Sequence, residues 1–245
     1  MEVETEISMK ILGIDSSSMV ASVAIVDDNI TIAEYTINYR KTHSQTLLPM
    51  LDEIVRMTET DMRDIDAIAV SGGPGSFTGL RIGSATAKGL GLALNIPLIH
   101  VPTLEAMAYN MWGTDRYVCP IMDARRSQVY TGIYYFENDN ICNYMEQDAI
   151  AIEELVDKCN ALDKGVIFVG DGIPVFKDYI RENMSNTFAF APVSMNRQRG
   201  ASVAALGSVY YANGKTEKAS EHLPEYLRVS QAERERSERE KGNKK

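Results

Sequence analysis

The sequence predicts an α/β protein of two lobes, in each of which helices cover a mixed β-sheet. One order of predicted elements, three strands and then alternating helices and strands, occurs twice along the chain, which indicates a duplicated supersecondary unit. Three hairpin-linked strands followed by this alternation suit a mixed sheet flanked by helices. With 245 residues the chain is long enough for two small domains. We expect one lobe over residues 9–103, a second over 104–230, and a charged, disordered tail over 231–245.

The first lobe is predicted to begin with three antiparallel strands. Apolar and alternating segments place them at Lys10–Asp15, Val20–Val26 and Ile30–Tyr39. The polar turn Asp27-Asp28-Asn29 closes the second hairpin.

A helix is predicted next, over residues 42–58. Thr42 and Gln45 fit a capping box at its start, and Pro49 is expected to kink or restart it. We expect the sheet to cover an apolar stripe, made of Leu48, Leu51 and Val55. The residues that then point outward are Thr46, Met50 and Glu53.

The remaining elements follow the same logic of apolar runs and helical periodicity. In the first lobe they are a strand Ile65–Val70, a helix Phe77–Leu94, a strand Leu98–Val101 and a joining helix Thr103–Trp112. Strands of the second lobe are predicted at Tyr117–Met122, Val129–Phe136, Ile141–Met145 and Val166–Val169. Its helices are Ile152–Cys159, Val175–Asn183 and, packing back across the lobes, Ala201–Asn213.

Glycines around one proline, in Ser71-Gly72-Gly73-Pro74-Gly75, predict a tight turn from strand to helix. Ser76 or Thr78 can cap the helix that follows. Inside that helix one face carries small residues at every fourth position, namely Gly79, Gly83 and Ala87. Each helical glycine costs roughly 1 kcal/mol relative to alanine. The bare face therefore indicates that a second helix, a partner chain or a phosphate approaches it closely.

The composition argues against several classes of protein. A net charge of −9 disfavours a surface that holds nucleic acid by itself. The three cysteines lack the C-x-x-C spacing of zinc or redox sites. The first eight residues lack the apolar core of a signal peptide, and no run of eighteen apolar residues occurs. We expect a soluble cytoplasmic protein with no cofactor.

Five motifs stand out: Lys10-Ile-Leu-Gly-Ile-Asp-Ser-Ser, His43-Ser44, Gly72-Gly-Pro-Gly-Ser-Phe-Thr-Gly-Leu-Arg-Ile-Gly, Ala85-Thr-Ala-Lys-Gly and Pro224-Glu-Tyr-Leu-Arg. Together they resemble the bacterial TsaB family, also called YeaZ. The resemblance extends from Lys10 to about Arg234. It implies two lobes of the actin/hexokinase-like (ribonuclease H-like) fold. The motif at Pro224–Arg228 is expected to dock an extended segment on the body, with Tyr226 and Leu227 buried.

The same resemblance implies a role in making threonylcarbamoyladenosine in tRNA. The chain would be a non-catalytic partner of the related catalytic subunit TsaD, with which it forms a heterodimer. The ATPase TsaE joins the pair, and TsaC supplies threonylcarbamoyl-adenylate. The resemblance further implies that tRNA is engaged through the assembled complex, and that the chain forms a homodimer when TsaD is absent.

The partner-binding surface is predicted on the two helices of the first lobe. On the first helix it includes the outward residues Thr46, Met50 and Glu53. On the second helix it includes the small-residue face and the anchoring residues, which are Gly79, Gly83 and Ala87, and Phe77, Leu80 and Arg81, respectively. The resemblance implies that these helices join the matching pair of TsaD in a bundle. Leucine in place of Gly83 is expected to abolish the heterodimer and leave the monomer folded.

No metal site and no catalytic residue are predicted. TsaD binds a metal with an H-x-x-x-H pair, whose spacing puts both imidazoles on one helix face. Here His43 is followed four residues later by Leu47, and His100 and His222 lie far away in the sequence.

A nucleotide cleft is the alternative site. Kinases and ATPases of the actin/hexokinase class begin with D-x-G and a hydroxyl residue, whereas this chain has Ser17 in place of that glycine. The residues that could line such a cleft are Asp15, Ser16, Ser17, Gly170 and Asp171, although Asp171 could equally cap the next helix. The glycine turn fits neither the dinucleotide fingerprint nor a Walker motif. A small-molecule kinase or ATPase is therefore the alternative function.

Overall fold

The computed structural model describes residues 9–28 and 30–228, and within them the strands form two five-stranded mixed sheets. The first sheet consists of β1 (Lys10–Asp15), β2 (Val20–Asp27), β3 (Ile30–Asn38), β4 (Ala67–Gly73) and β5 (Leu98–Pro102). Its order is β3-β2-β1-β4-β5, with an antiparallel meander on one side and parallel strands on the other. Asn29 of the predicted turn and the predicted tail, 231–245, lie outside the described residues.

The second sheet repeats this arrangement. Its strands are β6 (Tyr117–Asp123), β7 (Gln128–Glu137), β8 (Asn140–Ala151), β9 (Val166–Val169) and β10 (Phe188–Phe190). The order β10-β9-β6-β7-β8 again combines a β6–β8 meander with parallel β9 and β10. The predicted duplication is confirmed, and β10 is the strand that the sequence pattern missed.

Six α-helices cover the sheets in the described residues. They are α1 (His43–Thr58), α2 (Phe77–Leu94), α3 (Thr103–Tyr109), α4 (Ile152–Asn160), α5 (Ile173–Asn183) and α6 (Gly200–Ala212). Helices α1 and α2 pack on one face of the first sheet, and α6 packs on its other face. Helix α3 contacts the second sheet on the side facing α6, and α4 and α5 cover the far side. None of these helices has the length and apolar character needed to cross a membrane.

Helix α6 completes the first lobe although it comes late in the sequence. Its buried residues Val203, Ala204 and Leu206 share a core with Ile11 and Ile99 of the first sheet. The proposed division between residues 103 and 104 remains a prediction, and α6 packs across it.

The capping box predicted at the start of α1 was wrong. Thr42 occupies the N-cap position, but its hydroxyl contacts Ser44 Oγ at 3.1 Å and makes no capping bond to the backbone. The helix runs on through Pro49 without restarting, and the expected kink there stays a prediction.

Candidate partner-binding surface and inter-lobe cleft

The small-residue face of α2 packs against the turn between β1 and β2. Ser16 Oγ donates to the Gly79 carbonyl at 2.9 Å, and Ser76 N donates to the Ser17 carbonyl at 2.6 Å. A Cβ added at Gly79 would collide with the Ser16 carbonyl, and one at Gly83 would collide with Ser16 Oγ. Ser76 also caps the helix, accepting from Gly79 N at 3.2 Å. The group that approaches the glycines is therefore the chain's own β1–β2 turn, Ser16-Ser17-Ser18, which we call the serine turn.

This packing corrects several of the predicted partner contacts. The residues that are buried within the chain are Thr46, Met50, Gly79, Leu80, Gly83 and Ala87. Helix α1 is rotated relative to the prediction, because Leu47, Met50, Leu51 and Ile54 face the core. Leu48, expected to face the sheet, is 56% exposed. The predicted residues with exposed surface are Glu53, Phe77 and Arg81.

A different stripe of small residues points outward from α2. Ala85, Gly89 and Ala93 are exposed at every fourth position, and a Cβ on Gly89 would meet no heavy atom of the described residues within 4 Å. Among the apolar residues of the two helices, Met57 at the end of α1 and Leu92 near the end of α2 are 67% and 61% exposed. The outer side of α2 thus has little side-chain bulk along the stripe, whereas the outer side of α1 also carries the charged residues Asp52 and Arg56. We call the outward residues of α1 and α2, including Leu48, the α1–α2 face.

The segment 222–228 lies along the first half of α2. The Tyr226 ring is 4.4 Å from that of Phe77, and its hydroxyl accepts from Arg81 Nε at 3.3 Å. Glu225 N donates to the Gly72 carbonyl at 2.7 Å. Arg228 Nη1 reaches the second lobe, where it donates to the Ala124 carbonyl at 2.7 Å.

The docking of this segment is as predicted, but the burial of its side chains is not. Tyr226 is exposed, with its ring tilted by 31° against that of Phe77 at the surface, and Leu227 is only partly buried. Between the segment and α2 runs a groove of ≈ 490 Å³. Leu223 and Ala85 line it; Ala85 begins one of the five motifs, but neither residue was predicted to belong to a site. Their small or apolar character gave no signal without the packing.

A cleft of ≈ 1020 Å³ separates the two lobes. Its walls include Ser17 and Gly75 from the first lobe, and Asp123 and Asp171 from the second. Of the predicted cleft residues, Ser17 and Asp171 line it. Asp15 and Ser16 are buried just behind the serine turn.

The polar groups of the serine turn are engaged within the chain. Asp15 Oδ1 accepts from Ser17 N at 2.9 Å and from Ser17 Oγ at 2.8 Å, while Asp15 Oδ2 accepts from Ser71 Oγ. Burial raises the pKa of Asp15, and the hydrogen bonds from Ser71 and Ser17 oppose this rise. Kinases of the related fold use amides of this hairpin to hold phosphate, but here the amide and hydroxyl of Ser17 are bonded to Asp15.

Across the cleft, Asp171 lies in the turn between β9 and α5. Its Oδ1 is buried without a hydrogen-bond partner in the described residues, and burial raises its pKa to about 6, with Arg197 opposing the shift. The N-cap of α5 is Gly172, so the expected capping role of Asp171 is wrong. Gly170 has a φ of 123° beside the Ile121 carbonyl, and its own carbonyl accepts from Arg197 Nη1 at 3.1 Å.

The histidines are arranged differently from the TsaD pair. His43 Nε2 donates to the Ser18 carbonyl at 2.7 Å, and Leu47, four residues later, is buried in the core. His100 and His222, which are distant in the sequence, come together with ring centroids 5.7 Å apart. No sequence signal pointed to this second pairing.

Comparisons with known proteins agree with the architecture. The family model described as TsaD, tRNA N6-adenosine threonylcarbamoyltransferase, matches residues 31–236. The tRNA threonylcarbamoyladenosine biosynthesis protein TsaB of Bacillus subtilis (strain 168) is 31% identical over 227 residues, covering 92% of this chain and 96% of that protein. TsaB of Escherichia coli (strain K12) is 32% identical over 227 residues, covering 90% and 95%. YeaZ from Pseudomonas aeruginosa, at 23% identity, has the same fold with a TM-score of 0.74, over 89% of this chain and 100% of that one.

Two lobes of one topology around a shared cleft define an actin/hexokinase-like (ribonuclease H-like) protein. The similarity to the curated relatives covers nearly the whole of each chain. The chain belongs to the TsaB (YeaZ) family, a paralogue of TsaD.

Proposed function

We propose that the chain is a non-catalytic subunit for N6-threonylcarbamoyladenosine formation in tRNA, which binds and activates TsaD through the α1–α2 face. The observation that carries the proposal is the outward stripe Ala85, Gly89 and Ala93 on α2, together with the exposed apolar residues Leu48 and Leu92 of the two helices. Small residues allow another helix to approach the α2 backbone closely, and exposed apolar side chains supply surface that a partner can bury. A two-helix surface of this kind suits a four-helix bundle with a paralogue that has matching helices.

The serine turn supports a non-catalytic role. Its Ser17 stands where a phosphate-binding hairpin has glycine, and both its donors are bonded to Asp15. A phosphate would have to displace these bonds, each worth about 1 kcal/mol net. The turn instead supports α2 from behind, through Ser16 Oγ and the Ser17 carbonyl.

The other partners follow from the family. We propose that TsaE joins the pair and that tRNA is engaged through the assembled complex, which the net charge of −9 supports. The same apolar face supports a homodimer when TsaD is absent.

Reconstitution tests the proposal directly. TsaD, TsaE and TsaC are incubated with tRNA and threonylcarbamoyl-adenylate precursors, with and without this chain, and the modified nucleoside is quantified. We expect modification to require the chain. The variant Ala85→Trp should lose the TsaD complex in size-exclusion chromatography and lose modification as well. Ala212→Trp, at an exposed alanine on α6, is the matched control and should behave as wild type.

Two results would contradict the proposal. One is full modification without the chain or with Ala85→Trp. The other is tight Mg-ATP binding with turnover by the chain alone, which would favour the alternative of a small-molecule kinase or ATPase in the cleft.

A further inference from the structure

A histidine–carboxylate cluster lies away from the inter-lobe cleft, where the end of the described chain meets β5. It consists of His100, Glu217 and His222, and a ring nitrogen of each histidine and a carboxylate oxygen all lie within 4.8 Å of one another. A backbone bridge holds the cluster together, because Leu98 and Glu217 exchange two N–H to carbonyl bonds of 2.9 Å. This pairing holds the segments that carry His100 and Glu217 together, and the side chain of His222 contacts Glu217.

His222 has an unused ring nitrogen in this cluster. Its side chain is 0% exposed, and its Nδ1 is 2.6 Å from Glu217 Oε1. Since a carboxylate accepts, Nδ1 carries a proton, and in the neutral ring Nε2 has a free lone pair. That Nε2 is buried without a hydrogen-bond partner in the described residues. Buried polar atoms are rarely left in this state, so Nε2 calls for a partner that accepts its lone pair.

Two further groups suit a cation. His100 offers a second imidazole, whose ring centroid lies 5.7 Å from that of His222. Glu225 Oε2 lies 3.9 Å from His100 Nε2 and adds a second carboxylate at the edge of the cluster. A histidine whose other nitrogen donates to a carboxylate is the usual arrangement of a metal-binding imidazole.

We propose that His100 and Nε2 of His222 form a binding site for one divalent transition-metal ion of the zinc type, in which Glu217 is not a ligand but orients the His222 ring through Nδ1. Zn²⁺ accepts imidazole and carboxylate ligands, Glu225 offers a carboxylate beside His100, and bonds of about 2.0–2.2 Å require these groups to draw closer on binding. The ion fixes the segment 217–225 on β5. Through the bond from Lys88 Nζ to the His222 carbonyl, at 2.9 Å, it also fixes this segment beside α2.

Metal titration of the full chain tests the site. Metal-depleted protein is titrated with Co²⁺ by visible absorption and with Zn²⁺ by calorimetry and thermal unfolding. We expect one ion per chain, a rise in melting temperature with Zn²⁺ as mass action requires, and d–d bands without a sulfur-to-cobalt charge-transfer band. His100→Gln should abolish the site and Glu217→Gln should weaken it at least tenfold. The controls Glu221→Gln, an exposed neighbour, and His43→Gln should keep it.

Several results would overturn the site. They are no stoichiometric binding by the wild type, a sulfur charge-transfer band, or binding by folded His100→Gln equal to the wild type. If His100→Gln does not fold by circular dichroism, the stoichiometry and the cobalt spectrum of the wild type decide the question. These measurements need no partner protein, so they are independent of the proposed binding of TsaD.

Discussion

Leucine in place of Gly89 is expected to stabilise the free chain while weakening its complex. Gly89 lies in the interior of α2, is exposed, and a Cβ there would meet no described heavy atom within 4 Å. Leucine is the better helix former, so Gly89→Leu should raise the free energy of unfolding by roughly 0.5–1 kcal/mol. For a chain of this length that corresponds to a rise of roughly 1–4 °C in Tm.

The same side chain lies in the middle of the α1–α2 face. Overpacking a close helix contact costs roughly 1–3 kcal/mol, so the Kd for TsaD should increase roughly 5- to 150-fold. Gly83→Leu is the contrasting variant on the buried side of the same helix, because a Cβ at Gly83 would collide with Ser16 Oγ. That variant should lose roughly 1–3 kcal/mol or more of stability. The earlier expectation that Gly83→Leu leaves the monomer folded is therefore withdrawn, and we expect a destabilised monomer instead.

Urea and thermal unfolding of each variant, with calorimetric titration of TsaD, make the comparison. Gly89→Ala serves as a control, which should gain stability and bind nearly as the wild type. A folded Gly89→Leu that binds TsaD with wild-type Kd would show that the α1–α2 face is not the interface. A loss of stability in Gly89→Leu would contradict the open surroundings of this position.

Three further predictions concern the segment 222–228, the cleft and the joint between β3 and α6. Tyr226→Ala removes a ring 4.4 Å from that of Phe77, which should cost roughly 0.5–1.5 kcal/mol and speed hydrogen exchange in the segment, while Tyr226→Phe keeps most of the protection. The pKa of Asp171 is raised to about 6 from 3.8, so its ionised form is unfavourable in the folded state above pH 6 and this penalty vanishes below pH 4. Asp171→Asn should therefore exceed the wild type in urea stability by roughly 1–3 kcal/mol at pH 7 and match it near pH 4; equal stability at both values would refute this. Glu34→Gln weakens the ion pair at the start of α6 and should cost about 1–2 kcal/mol in urea unfolding, whereas Glu53→Gln, in an exposed pair, should cost about 0–1 kcal/mol.

The bounds of helices and strands were predictable where a single hydrophobic pattern ran through the whole element. Strands β1 and β9 and helix α2 have the predicted bounds, because each combines an unbroken pattern with strong turn residues at its ends. Strand β8 runs to Ala151, well past the predicted end, because edge-strand residues exposed to water carry no apolar pattern. The three residues of β10 are too few for any periodicity.

The orientation of the helices was harder to predict than their existence. Helix α1 has apolar residues on both sides of its stripe, so either Leu48 or Met50 could have faced the sheet. Helix α2 carries two small-residue stripes, and sequence alone cannot tell which of them packs inward. The deciding contact, Ser16 against Gly83, joins residues far apart in the chain. Local pattern therefore locates a helix, while long-range packing sets its rotation.

The carboxyl group of Asp15 has a structural role that involves no catalytic step. Its two oxygens accept from Ser17 and Ser71, which joins the serine turn to the end of β4. The turn in turn supports α2, since Ser16 Oγ and the Ser17 carbonyl bond to the helix start. Several hydrogen bonds of about 1 kcal/mol each thus hold in place the helix whose other side is the proposed partner surface. The buried carboxyl group of Asp15 therefore helps to position the proposed partner surface.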